Sequence, residues 1–179
     1  MNIPEIESAL KTLTLLCDTR EHDTPELHKR LKEVGLPVER KKLNFGDYSA
    51  KFFDAEGMEH DMSIHFSIER KMSLDELAQC YTRDRDRFKR EFERARSVGA
   101  KIYLLVENGD YERMLAGRYR SKLNPEAYKA SVFAWMARYN CVYVPCKPDT
   151  TPKVIREICF RETKEYLVNL NDTFGHTGD

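Results

Sequence analysis

The chain has 179 residues, enough for one α/β domain with a full core, and 41% of them are apolar, which excludes wholesale disorder. Charged residues make up 34%, but 30 basic and 30 acidic side chains cancel, so any affinity for nucleic acid must come from a local basic face. No apolar run reaches membrane-span length, the N-terminus lacks a secretory signal pattern, and the five scattered cysteines form neither a CxxC pair nor a zinc set, so they read as free thiols of a reducing compartment.

Residues 12–17 (TLTLLC) read as a buried strand ending at Asp18-Thr19-Arg20-Glu21. Asp23 or Thr24 caps a helix entered through Pro25, with Leu27, Leu31 and Val34 on one face and Gly35 as its stop. Residues 38–43 form a polar strand suited to a sheet edge. Asn44-Phe45-Gly46 turns into a strand at 47–53, the acidic stretch 54–62 reads as a loose connection, and 64–70 (IHFSIER) returns as a strand. Ser73 and Glu76 make a capping box for a short helix, and 83–97 is a long charged helix. Residues 101–106 (KIYLLV) have the continuous apolar character of a strand buried on both faces. Helices are expected around 110–117 and from Pro125 to about Tyr139, with a short strand at 141–145 between the second of these and a last helix from Pro152 to about Leu170; the tail from Asn171 onward is expected to fray. Strands come first, mostly antiparallel, followed by β–α–β units, so the fold class is α/β, a mixed central sheet flanked by helices.

The chemistry concentrates in Gly46-Asp47 and in Glu69-Arg70-Lys71-Met72-Ser73-Leu74-Asp75. Alternation along a strand sends Glu69 and Lys71 to one face and Arg70 to the other. Asp47 opens the neighbouring strand, and pairing brings its carboxylate close to Glu69. Two such carboxylates repel unless a cation lies between them, and hard oxygen ligands suit Mg²⁺ or Mn²⁺. Lys71 on the same face is placed to orient a water or to offset charge on a phosphate. Each feature has a plainer reading: Asp47 as a turn residue, Glu69 and Lys71 as an edge ion pair, Asp75 as a first-turn helix charge. The argument rests on their joint occurrence.

This pattern, GD followed by ERKxxxD with Asp18-Thr19-Arg20-Glu21 upstream, resembles the signature of the XPF-type structure-specific endonucleases of the PD-(D/E)xK superfamily, over about residues 12–145. The resemblance implies a restriction-endonuclease-like fold and a Mg²⁺- or Mn²⁺-dependent endodeoxyribonuclease. It implies Asp47 and Glu69 as metal ligands, Lys71 as the catalytic lysine, and Asp18 as a further acid at the metal. Arg70 and Asp75 join the catalytic set, with Arg20 and Glu21 as support. It also implies branched or flapped DNA as substrate, roles in repair or recombination, and a homodimer. Asp84 stands where the family has a glycine. With one helix after the core and no helix-hairpin-helix pair, residues 1–179 are expected to be a single nuclease domain, with a C-terminal helix at about 151–170. Cytoplasmic or nucleoid-associated placement is expected, or nuclear in a eukaryote.

Arg83, Arg87, Arg90 and Arg94 recur at helical spacing and, with Arg85, are the candidate DNA-phosphate contacts; the plainer reading pairs them with Asp84, Asp86, Glu91 and Glu93. Arg118, Arg120 and Lys122 form a second small basic cluster. The five histidines have no metal-binding spacing. The expected dimer surface is 125–138 with 152–168, because Val154, Ile155, Ile158, Cys159, Tyr166 and Leu167 offer more apolar area than one covering helix needs. Two other readings fit the residues: a silent nuclease-fold module that binds DNA or scaffolds a partner, and a resolvase- or restriction-like nuclease of the same fold.

Overall fold

A computed structural model of the chain describes residues 3–175. A mixed sheet runs in the order β2-β1-β3-β5-β6-β7, from β1 (Thr14–Asp18), β2 (Val38–Lys41), β3 (Tyr48–Phe53), β5 (Phe66–Lys71), β6 (Lys101–Glu107) and β7 (Cys141–Cys146). A three-residue strand, β4 (Glu59–Asp61), pairs with the far end of β3, and a single 3₁₀ turn at Met62–Ile64 joins it to β5.

The helices divide between the faces. On one side, α1 (Ile3–Lys11), α2 (Pro25–Val34) and α7 (Thr151–Gly175) cover Leu15, Cys17, Tyr48, Phe52, Phe66 and Ile68. On the other, α3 (Leu74–Tyr81), α4 (Arg85–Ser97), α5 (Tyr111–Leu115) and α6 (Pro125–Tyr139) cover Ile102, Leu104 and Val106 with an aromatic cluster built on Tyr81, Phe88, Phe92 and Trp135. Side chains alternate between these layers along every strand. The second face of β1, β3 and β5 therefore carries Asp18, Ser49, Ser67, Glu69 and Lys71, a polar row that no apolar helix could cover without stranding charge.

Helix ends follow the sequence signals. Thr24 Oγ1 accepts from Leu27 N–H at 3.1 Å and Pro25 enters the first turn of α2, while Gly35 ends it at φ 67°. Ser73 caps α3, accepting from Glu76 N–H, and Glu76 reaches back to Met72 N–H at 2.8 Å.

Four points add to or correct the expectations. The N-terminal segment, read only for a signal, is α1, whose Ile6 and Ala9 pack against the α7 side. The first half is mostly antiparallel, as expected, with one exception: α2 crosses over, so β1 and β2 pair in parallel. The loose connection at 54–62 contains β4, whose acids find cations in the sheet: Lys51 donates to Glu59 at 2.7 Å and Lys41 to Asp61 at 2.6 Å. Finally, α7 lays its apolar stripe on its own sheet, with Ile155, Cys159 and Leu167 buried and Val154, Ile158 and Tyr166 partly buried beside them. This helix runs on to Gly175; the rest of the tail expected to fray, with His176, lies outside the described residues.

Candidate active site

Gly46 sets the geometry. Its φ of +72° and its closeness to β5, where an added Cβ would sit 2.6 Å from Ser67 Oγ, leave room for glycine alone. The turn delivers Asp47 between two strands: its N–H donates to Ile68 O and its carbonyl accepts from Asp18 N–H, both at 2.8 Å. Asp47 Oδ2 accepts the backbone N–H of Arg70 at 2.7 Å. The carboxylate is thereby fixed on the face of β5 that carries Glu69 and Lys71, where Lys71 Nζ donates to Glu69 Oε1 at 2.5 Å.

These three groups open into a cleft of about 200 Å³, lined also by Arg20, Glu21, Arg87, Arg90, Glu91 and Arg94. Burial, with the Glu69 charge adding to it, pushes the Asp47 carboxyl well above its ordinary range. Glu91 is pushed up by the same two causes. Burial alone would depress Lys71, but the carboxylates of Glu69 and Asp47 outweigh it and hold the ammonium charged. Asp47 and Glu69 thus crowd like charge in a buried place, a repulsion that a divalent cation between them would relieve.

Among the described residues no three His, Cys, Asp or Glu side chains form a ready-made cage. The fit to a metal rests on Asp47 and Glu69, two hard oxygen donors facing an open cleft, a donor set suited to Mg²⁺ or Mn²⁺ with waters completing the shell.

Of the residues singled out in the sequence, the structure brings Asp47, Glu69, Lys71, Arg20, Glu21, Arg87, Arg90 and Arg94 to this cleft. Asp18 stands behind it. Its Oδ1 accepts from Arg20 N–H at 2.6 Å and Nε at 2.8 Å, and its Oδ2 from Arg20 Nη2 at 3.0 Å and Leu43 N–H at 2.7 Å. With four donors on two oxygens it has no lone pair left for a metal and acts instead to aim Arg20. Arg70 turns its guanidinium to the opposite face, where it meets both oxygens of Glu107 at 2.9 Å; its part in the cleft is its backbone N–H. Asp75 faces away and accepts from Arg120 and Ser121 N–H, both at 2.7 Å. Arg83 is held by Gln79 and Asp84, and Arg85 lies over the Trp135 ring at 5.7 Å, so neither lines the cleft.

Two features escaped the sequence reading. Glu91, counted there as an ion-pair partner for helix arginines, points into the cleft, accepts from Gly46 N–H at 3.2 Å and lies 3.7 Å from Arg20. The signal was present: Arg87, Arg90, Glu91 and Arg94 have i, i+3, i+4, i+7 spacing and so share one stripe. The second is Tyr48, fully buried, which accepts from Arg30 Nη1 at 2.7 Å and donates to Glu21 Oε2 at 3.2 Å, holding Glu21 at the cleft from behind.

A family model described as the ERCC4 domain matches residues 17–152, a span that includes every residue of this cleft. Among solved structures, XPF from Aeropyrum pernix superposes with a TM-score of 0.57 at 22% identity, covering 82% of this chain and 59% of that one. XPF from Aeropyrum pernix in complex with DNA superposes with a TM-score of 0.60 at 22% identity, covering 85% of this chain and 66% of that one. The chain therefore spans less than two-thirds of the length of these structures. No curated protein matches it in sequence.

Proposed function

The chain belongs to the ERCC4 domain family and has the fold of an XPF-type nuclease domain; from that premise we propose that it is a divalent-metal-dependent endonuclease that cuts branched or flapped DNA in repair or recombination. The observation that carries the reading is the convergence of Asp47, Glu69 and Lys71 in one cleft walled by arginines.

Asp47 and Glu69 would hold Mg²⁺ or Mn²⁺, which when bound polarises a phosphodiester and lowers the pKa of a water. Every other task falls to the chain. Lys71, which donates to Glu69 Oε1 beside Asp47, is placed to serve as a hydrogen-bond donor and electrostatic partner for charge developing on the phosphate. Arg87, Arg90 and Arg94 face the cleft from α4 and suit backbone phosphates, while Arg96 pairs with Glu93 in that helix and Arg83 with Asp84 just before it. Phosphate contacts of this kind position the DNA backbone and carry no sequence information, which favours recognition by DNA shape over sequence. Self-association belongs to the reading through α6, where Phe133 is half exposed and stacks on Tyr111. No helix among the described residues is long and apolar enough to cross a membrane.

The test is cleavage of a panel of flaps, forks, four-way junctions and plain duplex in Mg²⁺ and Mn²⁺, with Ca²⁺ and EDTA as controls. Metal-dependent cutting confined to the branched substrates supports the proposal. Binding without cutting under all conditions marks a silent module, and preference for plain duplex removes the branched-substrate part.

A further inference from the structure

The segment between α5 and α6 alternates in burial. Tyr119, Ser121 and Leu123 turn inward, and Arg118, Arg120 and Lys122 turn outward and are exposed. The inward residues are anchored: the Tyr119 ring packs edge-on against Tyr128 at 5.2 Å, its hydroxyl donates to Leu123 O at 2.7 Å, and Leu123 packs on the aromatic core. Ser121 Oγ accepts from Leu123 N–H at 3.2 Å. Asp75 Oδ1 then accepts both Arg120 N–H and Ser121 N–H. The result is a fixed loop with three cations on its outer side. Arg120 is 93% exposed at its side chain although its backbone is pinned, and its guanidinium reaches Asp75 only at 3.4 Å.

The loop is linked to the cleft through the first turn of α3. Glu76 Oε1 is 3.8 Å from Lys71 Nζ, and Asp75, its neighbour in the chain about 3.8 Å away at Cα, carries the loop. Arginine and lysine held on an ordered surface bind phosphates at lower entropic cost than the same side chains on a loose loop.

We infer that residues 118–122 form a second phosphate-binding surface for the DNA strand that leaves the cleft, and that Asp75 is the positioning residue that holds it. The inference rests on the nuclease reading for its ligand and assigns Asp75 a task outside the chemistry. It also makes an unusual demand of sign. An acid near DNA repels phosphate, so removal of its charge should tighten binding. An acid that anchors a basic loop should weaken binding when the anchor is lost.

Asp75→Asn and Asp75→Ala remove the same charge, but the asparagine keeps Oδ1, the oxygen that takes both N–H bonds. The experiment measures affinity for a fluorescent flapped DNA in Ca²⁺ across a salt series, with thermal melts as the folding check. Asp75→Asn should bind as tightly as wild type or tighter. Asp75→Ala should bind on the order of tenfold more weakly. The Arg118→Ala, Arg120→Ala, Lys122→Ala triple variant should lose about two to three units from the slope of log K against log salt, since each lost duplex phosphate contact removes about 0.9. Adding Asp75→Ala to the triple variant should change affinity little further, a non-additivity that a merely structural role would not produce. Equal affinity and slope in the triple variant and wild type, or a fully additive loss, overturns the inference while leaving the nuclease reading standing. Failure of wild type itself to bind any DNA overturns both.

Discussion

Arg70 meets Asp47 through its own backbone and not its side chain: the Arg70 N–H donates to Asp47 Oδ2 at 2.7 Å, while the Arg70 guanidinium points to the other face and Glu107. Strand alternation forces this division, since a residue flanked by two cleft-facing side chains must point away. One motif position therefore steadies the site by its peptide and the far layer by its side chain.

Removing that side chain should hurt stability far more than chemistry. Arg70→Met leaves Glu107, which also accepts from Thr151 Oγ1 at 2.9 Å, buried and uncompensated. A loss of about 3–5 kcal/mol in denaturant unfolding is expected, with most of it recovered in the Arg70→Met, Glu107→Leu double variant. If the single variant melts like wild type, the ion pair carries no such weight.

Gly46→Ala tests the turn that delivers Asp47. The positive φ and the collision with Ser67 together should cost about 2–4 kcal/mol. Adding Ser67→Gly should relieve the collision and leave the backbone strain, so the double variant should recover part of the loss. A single variant of wild-type stability would show that the turn can shift freely.

Much of this was legible from residue order. Alternation at Glu69, Arg70 and Lys71 foretold which side chains share a face, and Thr24, Pro25 and Gly35 marked both ends of α2. What stayed hidden depended on partners distant in the chain. Spacing put Glu91 on a stripe with Arg87 and Arg94, but not which way that stripe faces. Asp18 and Asp75 belong to an acidic pattern that says nothing of the backbone N–H groups of Leu43 and Ser121 that occupy them. The strand β4 was masked by its charges, which are satisfied by lysines from β2 and β3.

Asp18 gives a pH dependence of definite sign. Burial works to raise its carboxyl, but the hydrogen bonds from Arg20 and Leu43 prevail and hold it below its ordinary 3.8. A folded-state value below the unfolded one adds stability that is fully present above pH 3.8 and is lost as pH falls through the folded value. Unfolding curves between about pH 2 and 5 should therefore show a steep acid loss in wild type and a shallower one in Asp18→Asn. Parallel curves would contradict this role.

Asp47 runs in the opposite sense. Its folded-state value is raised, first by burial and then by Glu69, so without a cation the group costs stability as pH rises from 3.8 towards the folded value. Asp47→Asn, which keeps an oxygen for the Arg70 N–H, should melt higher than wild type in EDTA, by about 2–4 °C for each kcal/mol gained. It should also lose most of the stabilisation that Mg²⁺ or Mn²⁺ gives wild type.

That variant supplies the most direct test, because a more stable protein cannot owe lost activity to unfolding. The measurement is the single-turnover rate of cutting a flapped DNA in Mg²⁺ by wild type and by Asp47→Asn. The account predicts metal-dependent cutting by wild type and a fall of at least about 100-fold in the variant. A variant rate within twofold of wild type would contradict the assignment of this cleft as the catalytic centre.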